Sequence, residues 1–300
     1  MIAKPTVFVV GAGASKPYGF PTGGGIASRI LEELKSGNGD LWAKLNQYGF
    51  DAGRTGEFFA AFRDSGHFSL DAFVQHRKEF RDIAKTLMAA LLMWNEDDET
   101  LIGATDDEDW YRALFARMTM RKKADEFRGN QLAVVTFNFD RSFERRLFRA
   151  LKANYNRPDD ETADLATTIP VFHIHGQLGM PGWADARGRH YRRSQDPADV
   201  HRCAEMIRLI DDEIDQSVLA TAIGYLDRAD TICFIGFSFH PDNLNRLQGQ
   251  PLGNKTLHGT CKGMSPADRQ RVYRHFNSPR KNYLLEVNAR SFFDTVDVFS

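Results

Sequence analysis

The chain lacks most of what would staple, anchor or coat a protein. Of its 300 residues only three are cysteines, Cys203, Cys233 and Cys261. They are odd in number, far apart and form no C-x-x-C pair. Neither a disulfide framework nor a four-thiolate zinc site can therefore be assembled within one chain, and reduced thiols in the cytosol are the simple reading. No stretch approaches the ~18 consecutive apolar residues of a membrane span, and the N-terminal run in MIAKPTVFVV is too short for a signal-peptide core. A soluble, cytoplasmic protein without a membrane partner is expected. Charge of one sign is also missing: 39 Lys and Arg face 40 Asp and Glu, a formal net charge of −1. A general electrostatic affinity for nucleic acid is not indicated, although a local basic patch stays open. Internal repeats and low-complexity tracts are absent.

What the chain does have is apolar material, 42% of its residues, and it is distributed in runs. Thr6–Val10, Leu132–Phe137, Ile169–Ile174, Thr231–Phe237 and Tyr283–Val287 are short and rich in β-branched or aromatic residues. Continuous hydrophobicity of this kind marks strands covered on both faces. The pattern predicts an α/β fold, a Rossmann-like parallel sheet flanked by helices, as one domain over residues 1–300. Helices are expected at 24–36, 69–95, 107–126, 140–154 and 198–227. Ser265, Pro266 and Asp268 form the start signal of another that runs to about Phe276. The interval of about 37–130 is too long for one crossover helix, so a helical insertion is expected between the first two strands. The acidic stretch 97–109 reads as a solvated loop within it.

The first strand runs into Gly11-Ala12-Gly13-Ala14-Ser15. Small residues let an anion approach backbone N–H donors at the positive end of a following helix, which suits a phosphate or pyrophosphate. The third glycine of G-x-G-x-x-G is replaced by Lys16, and a tight structural turn is the alternative. The other strands also end in polar groups: Thr136-Phe137-Asn138-Phe139-Asp140, His173-Ile174-His175-Gly176, Gly236-Phe237-Ser238-Phe239-His240 and Asn288. In a parallel sheet these ends meet at one rim.

GAGAS with Gly19-Phe20-Pro21, then TFNFD, HIHG, GFSF and a last strand ending in Val287-Asn288 resembles the ordered motif set of sirtuins and sirtuin-like domains, over about residues 7–290. Sirtuin deacylases usually carry two cysteine pairs holding zinc after the HG motif, and an Asp-Phe-Arg sequence after the proline. This chain has a cysteine-free Gln177–Pro197 and Thr22-Gly23-Gly24. In these departures it resembles the zinc-free sirtuin-like NAD+ hydrolases of bacterial anti-phage defence, such as Thoeris-type effectors. The resemblance implies NAD+ as substrate, no metal, catalytic Asn138 and His175, and NAD+ contacts at Gly11, Ala12, Gly13, Ser15, Pro21, Thr22, Thr136, Asp140, Gly236, Ser238 and Asn288. Asp140 would hold the nicotinamide carboxamide. Depletion of NAD+ on infection, control by a regulatory partner such as a HerA-like ATPase, and homo-oligomerisation belong to the same implication.

The chemistry is consistent with these residues. Nicotinamide in NAD+ is already a cationic leaving group, so cleavage needs a site that tolerates an oxocarbenium-like ribose and supplies a nucleophile. An Asn amide can orient hydroxyls or a water, and a His can accept a proton. Bland alternatives stand beside each role. Asn138 and Asp140 are also good caps for a helix near Arg141, Ser15 and Ser238 are also capping residues, and Ser69 with Asp71 reads as a helix start. The His173/His175 pair lacks a third metal ligand, which leaves His173 as a structural neighbour. The run ARGRHYRR at 186–193 reads as a solvated loop, a lid over NAD+ phosphates, or a contact for nucleic acid or a partner protein. An acyl-lysine deacylase or ADP-ribosyltransferase, and a module that senses NAD+ or ADP-ribose without cleaving it, are the other functional classes.

Overall fold

The computed structural model describes every residue except 38, 248–251, 253–254, 277–282 and 300. Six strands, β1 Thr6–Val10, β2 Leu132–Thr136, β3 Val171–His173, β4 Thr231–Ile235, β5 Thr256–Thr260 and β6 Leu284–Leu285, form one sheet. Its order is β3-β2-β1-β4-β5-β6, with every pairing parallel. The fold is therefore a Rossmann-like α/β sheet. Its strand order reverses between β1 and β4, and in open parallel sheets ligands bind beyond the carboxyl ends at such a switch point.

Alternation along the buried strands divides the core. Phe8 and Val10 of β1, Leu132 and Val134 of β2, and Cys233 and Ile235 of β4 face one apolar layer, which includes the helices between β1 and β2. Val7, Val9, Ala133, Val135, Ile232 and Phe234 face the other. Side-chain period two on strands that are apolar apart from one terminal threonine each produces this two-sided burial.

Several expected elements are interrupted, each where tertiary packing turns the chain. The 69–95 segment is two α-helices, Leu70–His76 and Arg81–Met93, joined by a 3-10 turn at Lys78–Phe80. The turn brings the Phe80 ring 6.0 Å from Phe73 and 5.7 Å from Phe58. Helices Trp110–Thr119 and Ala124–Phe127 replace the single one at 107–126, with Arg121 at φ 55 between them. Pro197–Met206 and Gln216–Arg228 replace the one at 198–227. The acidic stretch 97–109 is a solvated loop only over 103–108. It contains the Asp98–Ile102 helix with Leu101 buried, Asp98 pairs with Arg145 and Arg149, and buried Asp109 accepts from the Tyr18 hydroxyl. Strand β5 was not expected. Its TLHGT sequence has no long apolar run, and Gly259 packs closely, a Cβ there lying 2.8 Å from Leu284 Cδ2, so a side chain would displace Leu284. The Ser265 cap and the Pro266–Phe276 helix stand as expected, with Ser265 Oγ accepting from Asp268 N at 3.1 Å.

Candidate functional site

The rim begins with register. Val10 pairs with both Thr136 and Ile235, so Gly11, Phe137 and Gly236 leave the sheet at one height. The turns after β1 and β4 then interlock through backbone: Gly11 N donates to Ile235 O at 3.1 Å, and Gly13 N to Gly236 O at 3.0 Å. A Cβ on Gly11 would lie 2.7 Å from Gly236 O, and one on Gly236, at φ 58, would lie 2.1 Å from Ala14 N. The glycines therefore serve turn-to-turn packing, and two N–H groups expected to meet a phosphate are already spent. A 3-10 turn, Ala12–Ala14, follows rather than an α-helix. The helix N-terminus at the crevice is that of Gly23–Ser36. Thr22 caps it, its Oγ1 accepting from Gly25 N at 3.1 Å. Gly23 and Gly24 at its first turn line the crevice with backbone donors at the positive end of the dipole. The threonine before three glycines was the sequence signal for this role.

The crevice has two adjoining compartments. The inner one, about 270 Å³, is walled by Ala12, Ser15, Asn138, Asp140 and Asp71, with Gly11, Pro21 and Ser238 also at its surface. The outer one, about 880 Å³, is walled by Gly13, Thr22, Gly236 and Asn288, with Lys16 and Lys262 as cations. Ala12 and Ser238 border both. Most of the residues singled out from sequence thus converge. Thr136 does not line either compartment; its Oγ1 accepts from Asn138 N at 3.1 Å and shapes the turn. The 186–193 run lines neither, which removes the lid reading: Arg189 pairs with Glu96 and Arg193 with Asp97.

Asn138 is buried, and its Nδ2 donates to Ser15 Oγ at 3.0 Å while its Oδ1 has no partner. A buried acceptor left open at a cavity wall is costly unless something fills it. Asp140 accepts from Ser142 N at 3.1 Å and from the Ser142 hydroxyl, so it organises the start of the Ser142–Tyr155 helix as well as facing the cavity. Burial pushes its pKa up, against the Ser142 and Ser15 hydrogen bonds. Asn288 likewise caps the Ala289–Thr295 helix, accepting from Ser291 N at 2.8 Å, and borders the outer compartment.

His175 lies one side chain behind the inner wall. Nδ1 is 3.0 Å from Arg208 O, Nε2 is 3.2 Å from the Asn243 side-chain amide, and Arg246 Nη1 lies 3.1 and 3.3 Å from the two ring nitrogens. Asn243 itself lines the inner compartment, and His175 does not. Burial, then Arg246, push the His175 pKa down to about 4, so the ring is neutral at pH 7. The break in the 197–228 segment creates this pocket: Arg208 N donates to His175 O at 2.7 Å, and Met206 O would lie 1.9 Å from a Cβ on Gly176, where φ is 79. His173 has a different role. Its Nδ1 is 2.9 Å from Asn138 O and its Nε2 is 2.8 Å from Glu144 Oε1. Burial lowers its pKa, but Glu144 and the Asn138 carbonyl raise it overall, and the ring fixes the Asn138 backbone. Among the described residues no group of three or more His, Cys, Asp or Glu is placed to hold a metal ion.

Asp71 carries more than its helix-start pattern indicated. Ser69 is the cap, its Oγ accepting from Ala72 N at 3.2 Å. Asp71 is half-buried and lines the inner compartment. Burial raises its pKa to about 6, with Asp211 adding to the rise and the Ile210 N–H, Arg246 and Arg81 opposing it.

No protein-family profile matches the chain, and no curated protein matches it. Among solved structures, Sir2 in complex with the inhibitor EX-527, 2′-O-acetyl-ADP-ribose and a deacetylated p53 peptide is 18% identical, over 97% of this chain and 91% of that one, with a TM-score of 0.43. A Sir2 homolog–NAD complex is 16% identical, over 97% and 86%, with a TM-score of 0.48. The class defined by the chain's own fold and crevice is a Rossmann-like α/β protein with a two-compartment site at its switch point.

Proposed function

We propose that the protein is an NAD+ glycohydrolase, releasing nicotinamide and ADP-ribose. The observation that carries this reading is the unpartnered Asn138 Oδ1 in a compartment sized for a nicotinamide riboside, opening onto a longer cleft. The pyrophosphate would lie at the first turn of the Gly23–Ser36 helix near Lys16 and Lys262, with Ser238 and Asn288 toward the adenine ribose. Asn138 would orient a ribose hydroxyl or the attacking water. The C1′–N bond breaks with its electron pair leaving on nicotinamide, and the water oxygen bonds to C1′. The water proton passes to neutral His175, reached when the Asn243 amide and Arg246 give way to substrate. Ionised Asp71 stabilises the oxocarbenium-like ribose. Control by a separate regulatory subunit or by self-assembly, and a role in NAD+ depletion on infection, extend this reading.

The test is a time-course of purified protein with NAD+, with and without its neighbouring gene product, resolving nicotinamide, ADP-ribose and cyclic product. Nicotinamide and ADP-ribose are expected in equal amounts. Asn138→Ala and His175→Ala should each lower kcat by ~10²–10³-fold with circular dichroism unchanged. Nicotinamide release only on adding an acylated protein would make the chain a deacylase, and intact NAD+ recovered after saturable binding would make it a sensor.

A further inference from the structure

Back to back with the crevice lies another cavity, of about 270 Å³, between the Ser142–Tyr155 helix and the 181–191 loop. Arg145, Phe148, Trp183, Arg189 and Tyr191 are among its walls, and it shares no residue with either crevice compartment. Its floor is built rather than accidental. The fully buried Arg141 guanidinium meets Glu96 through Nε at 2.9 Å and Nη2 at 2.8 Å, and its Nη1 donates to Met180 O at 3.0 Å and Arg189 O at 2.9 Å. One side chain thereby stitches the loop to the core, and Arg189 joins it on Glu96.

Three features of the cavity define what fits. Trp183 stacks on Phe148, centroids 5.2 Å apart and planes 20° from parallel, which gives an aromatic wall. Charge around the cavity is unbalanced: the wall residues Arg141 and Arg189 share Glu96, Arg145 shares Asp98 with Arg149 outside the wall, and the wall carboxylate Asp159 pairs with Lys152. Two positive charges remain beyond those neutralised, in a partly desolvated setting where an anion is favoured. The Tyr191 hydroxyl is buried without a partner. The volume falls just below the ~300–1,000 Å³ of typical small-molecule sites, which suits one ring system with one acidic group and excludes a dinucleotide.

We propose that this cavity is a second ligand site, for a nucleoside monophosphate, with the base against Trp183 and the phosphate toward Arg145, while Arg189 is held by Glu96 and the Leu178 carbonyl. It gives Arg189, His190 and Tyr191 of the 186–193 run a role independent of what the crevice does. Asp140 and Arg141 are consecutive, so the two sites are one peptide apart.

Calorimetric titration of the full chain with AMP tests the proposal. Saturable binding is expected, with adenosine and inorganic phosphate each at least ten-fold weaker. Trp183→Ala and Arg145→Gln should weaken AMP at least ten-fold, and the crevice variant Asn138→Ala should leave it within two-fold. Arg145 is partly solvent-exposed, so its variant stays informative where Trp183→Ala fails to fold. The proposal is overturned by any of four results: no saturable AMP binding, inorganic phosphate binding as tightly as AMP, an affinity unchanged in Arg145→Gln, or AMP binding lost in Asn138→Ala.

Discussion

Asp71 shows how one side chain can be kept at a cost to the fold. Its pKa rises from 3.8 unfolded to about 6 folded, so the folded state holds its proton more tightly. The associated stability is present below the unfolded value and is lost as pH rises through about 6. Above that pH the ionised carboxyl destabilises the protein by up to about 3 kcal/mol. Asp71→Asn is therefore expected to stabilise the chain by ~1–3 kcal/mol at pH 7.5, a gain that shrinks as pH falls through 6, in urea melts at several pH values. The same variant should lower NAD+ turnover by at least ~10-fold and remove the decline in kcat below pH 6. A variant both less stable and fully active would remove Asp71 from the site. The helix-start pattern at Ser69 and Asp71 was visible in the sequence. The cavity was not, because Ile210 and Arg246 approach Asp71 from distant segments.

At the scale of elements, the interlocked turns after β1 and β4 decide whether a crevice exists. Gly236 sits at φ 58 with its Cβ position 2.1 Å from Ala14 N. Any side chain there must push two backbones apart and adopt a left-handed conformation, which alone costs ~1–2 kcal/mol. Gly236→Ala is expected to lose at least ~3 kcal/mol in chemical denaturation and to abolish turnover even where it folds. Legibility was uneven at this scale. Long apolar strands and the Ser265 cap were readable because local sequence dictates them. The breaks at Arg77 and Ile207, and strand β5, were not readable. Each serves a contact far away in sequence: Phe80 on Phe58, Arg208 on His175, Gly259 against Leu284.

Across the whole molecule, the sheet divides two apolar layers, and the buried Glu96–Arg141 pair ties the helical segments between β1 and β2 to the loop after β3. Removing one partner leaves an uncompensated charge inside. Arg141→Ala is expected to cost ~3–5 kcal/mol by denaturant midpoint. Replacing Glu96 by an apolar residue as well is expected to recover only part of that loss, because Arg189, which shares Glu96, is then left without its carboxylate.

The apolar runs and the motifs at their ends pointed to five of the six strands, to a parallel sheet and to the convergence of Gly11, Ser15, Asn138, Ser238 and Asn288 at one rim, because strand ends in such a sheet face one way. Which of those groups touch the cavity was a matter for tertiary packing alone. Whether an N–H is spent on a neighbouring turn, whether His175 stands in the wall or behind Asn243, and how far Asp71 is desolvated all depend on atoms contributed by remote segments. No local pattern encodes those distances.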